Sequence, residues 1–108
     1  MVYKNHEHSL TFHESPGHSY ALLLSQADEA KYGTRMGISV YRVTDFAPPG
    51  VHDHPEFFYV LEGHGSMRVD DEEFSISPGS FVLVPPGAHH TLRRNERSLP
   101  VKVLWTHL

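Results

Sequence analysis

The 108-residue sequence contains no cysteine. That removes disulfides, thiolate metal sites and cysteine nucleophiles at once, and it is compatible with a reducing compartment. No apolar run approaches the ~20 residues a membrane span needs. The first ten residues are polar and lack the apolar core of a signal peptide. A cytoplasmic protein without a membrane partner is therefore expected. Basic stripes are missing too. The net charge is −4, and the densest basic cluster, Arg93, Arg94 and Arg97, is interrupted by Asn95 and Glu96, so it reads as a solvated strand end. Nucleic acid is excluded as an expected partner. The length fits one domain with a modest core.

Histidine is abundant: ten residues, His6, His8, His13, His18, His52, His54, His64, His89, His90 and His107. They form no single tract, so spacing has to decide which matter. Helix signals are sparse. Gln26 to Tyr32 has helix formers but ends at Gly33, which leaves one helical turn or a loop. From residue 36 onward the pattern is strand, turn, strand. Met36 to Phe46 stops at Pro48-Pro49-Gly50, Glu56 to Leu61 at Gly63-His64-Gly65, and Phe81 to Val84 at Pro85-Pro86-Gly87. Ser66 to Val69 and Glu73 to Ile76 flank Asp70-Asp71, a hairpin tip. His90 to Arg93 and Val101 to Thr106 complete the set. Turns about every ten residues predict an all-β antiparallel sandwich or barrel. Phe57 to Leu61 is apolar at every position, which predicts that both faces of that strand are covered. One face would line the barrel, and the other would meet an N-terminal strand or a second subunit. A homodimer is the corresponding expectation.

The segment Gly50-Val51-His52-Asp53-His54-Pro55-Glu56 carries the chemistry. In an extended chain alternate side chains share a face. His52, His54 and Glu56 sit at i, i+2 and i+4, and Pro55 holds the residue before it extended. Two imidazoles and a carboxylate aimed at one point suit a divalent transition metal, and a cluster of surface histidines that binds nothing is the competing reading. His90, just after the Pro85-Pro86-Gly87 turn, is the candidate fourth ligand. His89 points to the opposite face and is read as structural or as support for a ligand. His64 is read as an exposed turn residue, His107 as exposed or packed near the end of the chain, and His6, His8, His13 and His18 as non-ligands.

These residues resemble the cupins. That family's first motif runs Gly, five residues, His-x-His, three or four residues, Glu, six residues, Gly. Here Glu56 and Gly63 enclose six residues, and Tyr59 to Gly63 reads Tyr-Val-Leu-Glu-Gly. The second motif runs Gly, five residues, Pro-x-Gly, two residues, His, three residues, Asn. Gly79, Pro85, Gly87 and His90 fall in register, while Arg94 holds the Asn place and Asn95 is one later. The motifs lie at 50–63 and 79–95.

The resemblance implies a jelly-roll or double-stranded β-helix barrel spanning 1–108. An N-terminal segment and strand would occupy 1–19 and the barrel strands 36–106. Two registers are open in the first motif. Counting back three residues from Glu56 makes His52 the second histidine and places Gly50 at the first. Alternatively His52 and His54 are the pair and the loop is shortened to Pro55. The second keeps four ligands, His52, His54, Glu56 and His90, and is preferred.

The resemblance also implies one divalent ion (Fe, Mn, Ni, Co or Zn) with two or three open positions, as in catalytic sites. Glu56 would serve as ligand or base. Parity predicts a pocket wall of Phe58 and Val60 with Glu56, and Leu92 with His90, and Tyr41 and Trp105 are further pocket candidates. A small organic molecule fits such a wall. The expected activity is of dioxygenase, isomerase or lyase type. The alternatives are a sugar- or metabolite-sensing module, usually fused to a further domain for which this length has no room, and a metal-retaining structural protein.

Overall fold

Arg35–Tyr41 (β3) forms the spine of the larger sheet in a computed structural model, which describes residues 3–108. On one side it pairs with His18–Leu22 (β2), which in turn pairs with His13–Ser15 (β1). On the other it pairs with Val101–His107 (β9), and beyond lie Glu56–Glu62 (β4) and Phe81–Val84 (β7). The order is β1-β2-β3-β9-β4-β7, antiparallel throughout. Gly65–Val69 (β5), Glu72–Ile76 (β6) and His90–Arg94 (β8) make a second, three-stranded sheet in the order β6-β5-β8. Gly50 adds an isolated bridge to His90, with hydrogen bonds in both directions. The architecture is an antiparallel jelly-roll barrel.

The expected hairpin tip is built from the residues that signalled it. Asp70 adopts the left-handed conformation (φ 52°) at the tip between β5 and β6, a region that Asp tolerates better than most residues. The tip also anchors the approach to β8. Asp70 N–H donates to the His89 carbonyl, and His89 N–H donates to the Asp70 carboxylate. The uncertain stretch is a helix, Gln26–Tyr32 (α1). Ser25 caps its start by accepting from Asp28 N–H, and Gly33 (φ 68°) closes its end. Those capping residues, rather than its length, make it a helix. Among the described residues no helix is long and apolar enough to cross a membrane.

The core lies between the sheets, where Val60, Met67, Leu92, Val101 and Val103 are fully buried. Gly37 matters to it. A Cβ there would lie 2.3 Å from the Trp105 ring, so the missing side chain is what lets the indole lie flat across the strand. Trp105 then donates from its Nε1 to Ser39 Oγ at 2.8 Å.

Two expectations are corrected. In β4, Glu56, Phe58 and Val60 face inward, but the other face is open: Tyr59 is 43% exposed and Leu61 38%. The N-terminal strands extend the sheet beyond β3 and leave β4 uncovered. The arginine cluster is also not simply solvated. Arg94 donates to the carbonyls of Arg42, Asn95, Glu96 and Ser98, tying the turn after β8 together, and the Arg93 guanidinium lies over the Phe46 ring.

Candidate metal centre

The inner face of β4 delivers Glu56 to the mouth of the barrel, where its side chain is only 5% exposed. Three imidazoles surround the carboxylate. His90 Nε2 lies 2.9 Å from Oε1, His52 Nε2 lies 3.5 Å from Oε1, and His107 Nε2 lies 2.6 Å from Oε2. Each arrives for a structural reason. His90 begins β8 and is fixed by its bridge to Gly50. His52 precedes Glu56 by four residues on extended chain. His107 is the direct cross-strand partner of Glu56 in the β4–β9 ladder, and such pairs share a face with Cβ atoms ~5 Å apart.

The protonation pattern bears on what the cluster holds. His90 Nδ1 faces the Ala88 carbonyl at 3.3 Å. A carbonyl only accepts, so Nδ1 donates to it and Nε2 is the nitrogen turned toward the carboxylate. That nitrogen lies 2.9 Å from Glu56 Oε1, an oxygen buried without a hydrogen-bond partner. A buried carboxylate oxygen left without a hydrogen bond calls for another partner, which a cation held among these donors would supply. Burial raises the Glu56 carboxyl, but the His107 and His90 imidazoles outweigh it and hold the group down at about 2. Burial also lowers His52 below the ordinary imidazole range, against the opposing pull of Glu56. An ionised carboxylate beside a neutral imidazole is the state a metal requires.

Of the four ligands expected from sequence, His52, Glu56 and His90 converge, with donor atoms within 4.8 Å of one another. His54 stands at the rim. Its Nδ1 lies 3.1 Å from Asp53 Oδ1, its Nε2 is buried without a partner, and its ring stacks on His52. With His52 and His107 it forms a second, outer group of donors, also within 4.8 Å. These two groups of nitrogen and oxygen donors could each hold a divalent ion of the borderline type. Gly50 also faces the centre. A Cβ on it would lie 3.4 Å from His90 Nε2 and 3.9 Å from His52 Nε2.

His107, expected to be exposed or packed near the end of the chain, belongs to this cluster. Its side chain is 12% exposed and lies against Glu56. The signal was available. Val101, Val103, Trp105 and His107 alternate along one strand, and the first three are buried, so period two puts the histidine on the inner face.

A cavity of about 240 Å³ opens beside the cluster. Phe58, Tyr41 and Trp105 line it as expected, and so does His18, which had been set aside. Val60 and Leu92 do not. Both are fully buried deeper in the core, below the cavity floor. Burial pushes the Tyr41 hydroxyl far above its ordinary range, with the Glu56 charge adding to the effect, so Tyr41 stays protonated.

A family model for the cupin domain matches residues 39–107. The chain belongs to the cupin family. Among curated proteins this cupin is 35% identical over 57 residues to an uncharacterized protein of Methanocaldococcus jannaschii, covering 50% of this chain and 45% of that one. It is 42% identical over 40 residues to quercetin 2,3-dioxygenase of Bacillus subtilis, covering 37% of this chain and 12% of that one. The matches thus span less than half the length of these relatives. Among solved structures it resembles Fe(II)-HppE with an alternative substrate, with a TM-score of 0.85 at 15% identity over 99% of this chain and 60% of that one. At that identity the likeness speaks to the fold.

Proposed function

We propose that this cupin binds one divalent transition metal through His52, Glu56 and His90, with His107 as a further ligand, and acts on a small organic molecule in the adjoining cavity. The observation that carries this reading is the buried Glu56 Oε1, faced by two imidazole nitrogens and satisfied by no hydrogen bond. The dioxygenase relative supports oxygen chemistry, and isomerase or lyase chemistry would use the same donors.

A bound divalent ion supplies Lewis acidity, and iron supplies reactivity toward dioxygen as well. The chain's own groups do the rest. Phe58 and Trp105 keep water from the inner end of the cavity. Glu56 stays ionised throughout the neutral range. His107 Nε2, 2.6 Å from Oε2, holds the Glu56 carboxylate in place. After Fe(II) loading, dioxygen consumption against catechols, thiols and diketones tests the oxygenase form. Isomerised or cleaved product without dioxygen uptake identifies the other two.

We also propose a homodimer through the open face of β4 and β7. Phe81 is 61% exposed and Leu83 55%, beside Tyr59 and Leu61. β7 is a sheet edge, and apolar edges are places where a second copy adds on.

A further inference from the structure

One rung of the larger sheet runs from Arg35 on β3 through His107 on β9 to Glu56 on β4. Cross-strand partners share a face, so all three side chains stand on the cavity side, and all three line it. Adjacent strands are ~4.8 Å apart, which puts Arg35 two spacings, ~10 Å, from the carboxylate at the metal centre. Arg35 is the only Lys or Arg lining this cavity, and also the only one lining the wider vestibule outside it beneath α1, among the described residues.

Among the described residues the guanidinium makes no hydrogen bond within the protein, and its ion pair with Glu29 is long. Its Nε is buried without a hydrogen-bond partner, and the facing carboxylate, Glu29 Oε2, is 4.0 Å away, beyond hydrogen-bond reach. Of the other polar groups lining the cavity, His18 Nδ1 and Glu56 Oε1 are also buried without a hydrogen-bond partner, but neither carries a fixed positive charge. Trp105 Nε1 and Ser39 Oγ satisfy each other. Between the two ends the aromatic side chains of Phe58, Trp105 and Tyr20 line the walls. The volume, about 240 Å³, lies below the ~300–1,000 Å³ of drug-sized sites.

We infer that the molecule bound here is a small, planar monocarboxylate, such as a single-ring aromatic acid. Its carboxylate lies on Arg35, and its other end points to the His52–Glu56–His90 centre. The planar fork of a guanidinium matches a carboxylate with two parallel hydrogen bonds. A single cation suits a monoanion better than a phosphate dianion. The orientation rests on the metal reading proposed above, whereas the grip by Arg35 does not.

Isothermal titration of the metal-loaded protein with benzoate and with neutral benzyl alcohol tests the inference. Benzoate is expected to bind at least about tenfold more tightly than the alcohol. Arg35→Met should weaken benzoate about tenfold, leave the alcohol unchanged and leave metal content unchanged. Arg35→Lys should restore part of the loss, and Glu29→Gln, which removes the competing carboxylate, should tighten benzoate a few-fold. Equal binding of the two probes by the unaltered protein overturns the inference, and that comparison needs no variant to fold. Benzoate preference that persists undiminished in Arg35→Met also overturns it, because the carboxylate would then be on the ion. Absence of any bound metal, with benzoate preference and its Arg35 dependence intact, would instead remove the metal reading and leave the carboxylate grip standing.

Discussion

Glu56 and His107 face each other across one rung of the β4–β9 ladder, with Oε2 and Nε2 2.6 Å apart. The last strand of the barrel thereby adds a fourth residue to a centre whose other members come from the two sequence motifs. Gly50, where one motif register places a histidine, instead leaves its side-chain position open beside His90 and His52.

His107→Ala is expected to lower metal affinity by about 10- to 100-fold, the range seen when a supporting or outer ligand is lost. Adding Gly50→His to that variant should recover part of the affinity, since the new imidazole projects toward the same centre. Competition with a metal-binding dye measures both. No loss in His107→Ala would show that its contact with Glu56 is only a structural ion pair.

His52→Ala and His54→Ala separate the two motif registers. His52 lies 3.5 Å from Glu56, whereas His54 engages Asp53 at the rim. Metal content should collapse in the first variant and stay near that of the unaltered protein in the second. Equal losses would place both histidines on the ion and favour the shortened-loop register.

Acid should destabilise the metal-free protein through two groups of the same sign. Glu56 is held at about 2 against an ordinary 4.5. Its contribution is therefore complete above pH 4.5 and fades as pH falls toward 2. His52 is also lowered, from an ordinary 6.5. The unfolded chain takes up that proton first, and stability declines as pH drops below 6.5. Urea midpoints should fall from pH 7 to 5 and again from pH 5 to 3, and Glu56→Gln should flatten the second step. A midpoint independent of pH would contradict the assignment.

Gly37→Ala should destabilise the fold by about 1–3 kcal/mol, the usual cost of overfilling a core. Its Cβ would meet the Trp105 ring at 2.3 Å and the Ala21 carbonyl at 2.6 Å. Trp105 fluorescence should shift in the same variant. Thermal unfolding with unchanged midpoint and emission would show that the indole moves aside freely.

Leu83→Glu places a charge in the centre of the exposed apolar face of β4 and β7. Light scattering should show a dimer for the unaltered protein and a monomer for the variant, with metal content the same in both. A monomer at high concentration before any substitution rules the interface out.

Local turn chemistry and period-two alternation made the barrel legible from residue 36 onward, because the Pro-Gly clusters and Asp70-Asp71 dictate chain reversals by themselves. The inward set on β4 followed from parity, and so did Glu56 as a member of the centre. His107 was missed because its importance comes from a ladder partner about fifty residues away, and cross-strand register is not written in either strand alone. His18 was missed for the same reason: it reaches the cavity by pairing with Tyr41, on which its ring stacks. The continuous apolar run Phe57 to Leu61 was legible in part: the N-terminal strand expected over its outer face lies beyond β3 instead, and the second subunit is the remaining alternative. It marks a strand with one open apolar face, which no neighbour among the described residues covers.

The central claim is that this centre holds an ion. Elemental analysis of untagged protein, purified without oxygen and then offered Fe(II), Mn(II), Ni(II), Co(II) and Zn(II) in turn, tests it most directly. About one equivalent of a divalent ion per chain is expected, with loss of that equivalent in His90→Ala and in Glu56→Gln. Stoichiometric metal that survives both substitutions, or none retained from any of the five ions by the unaltered chain, would contradict the account.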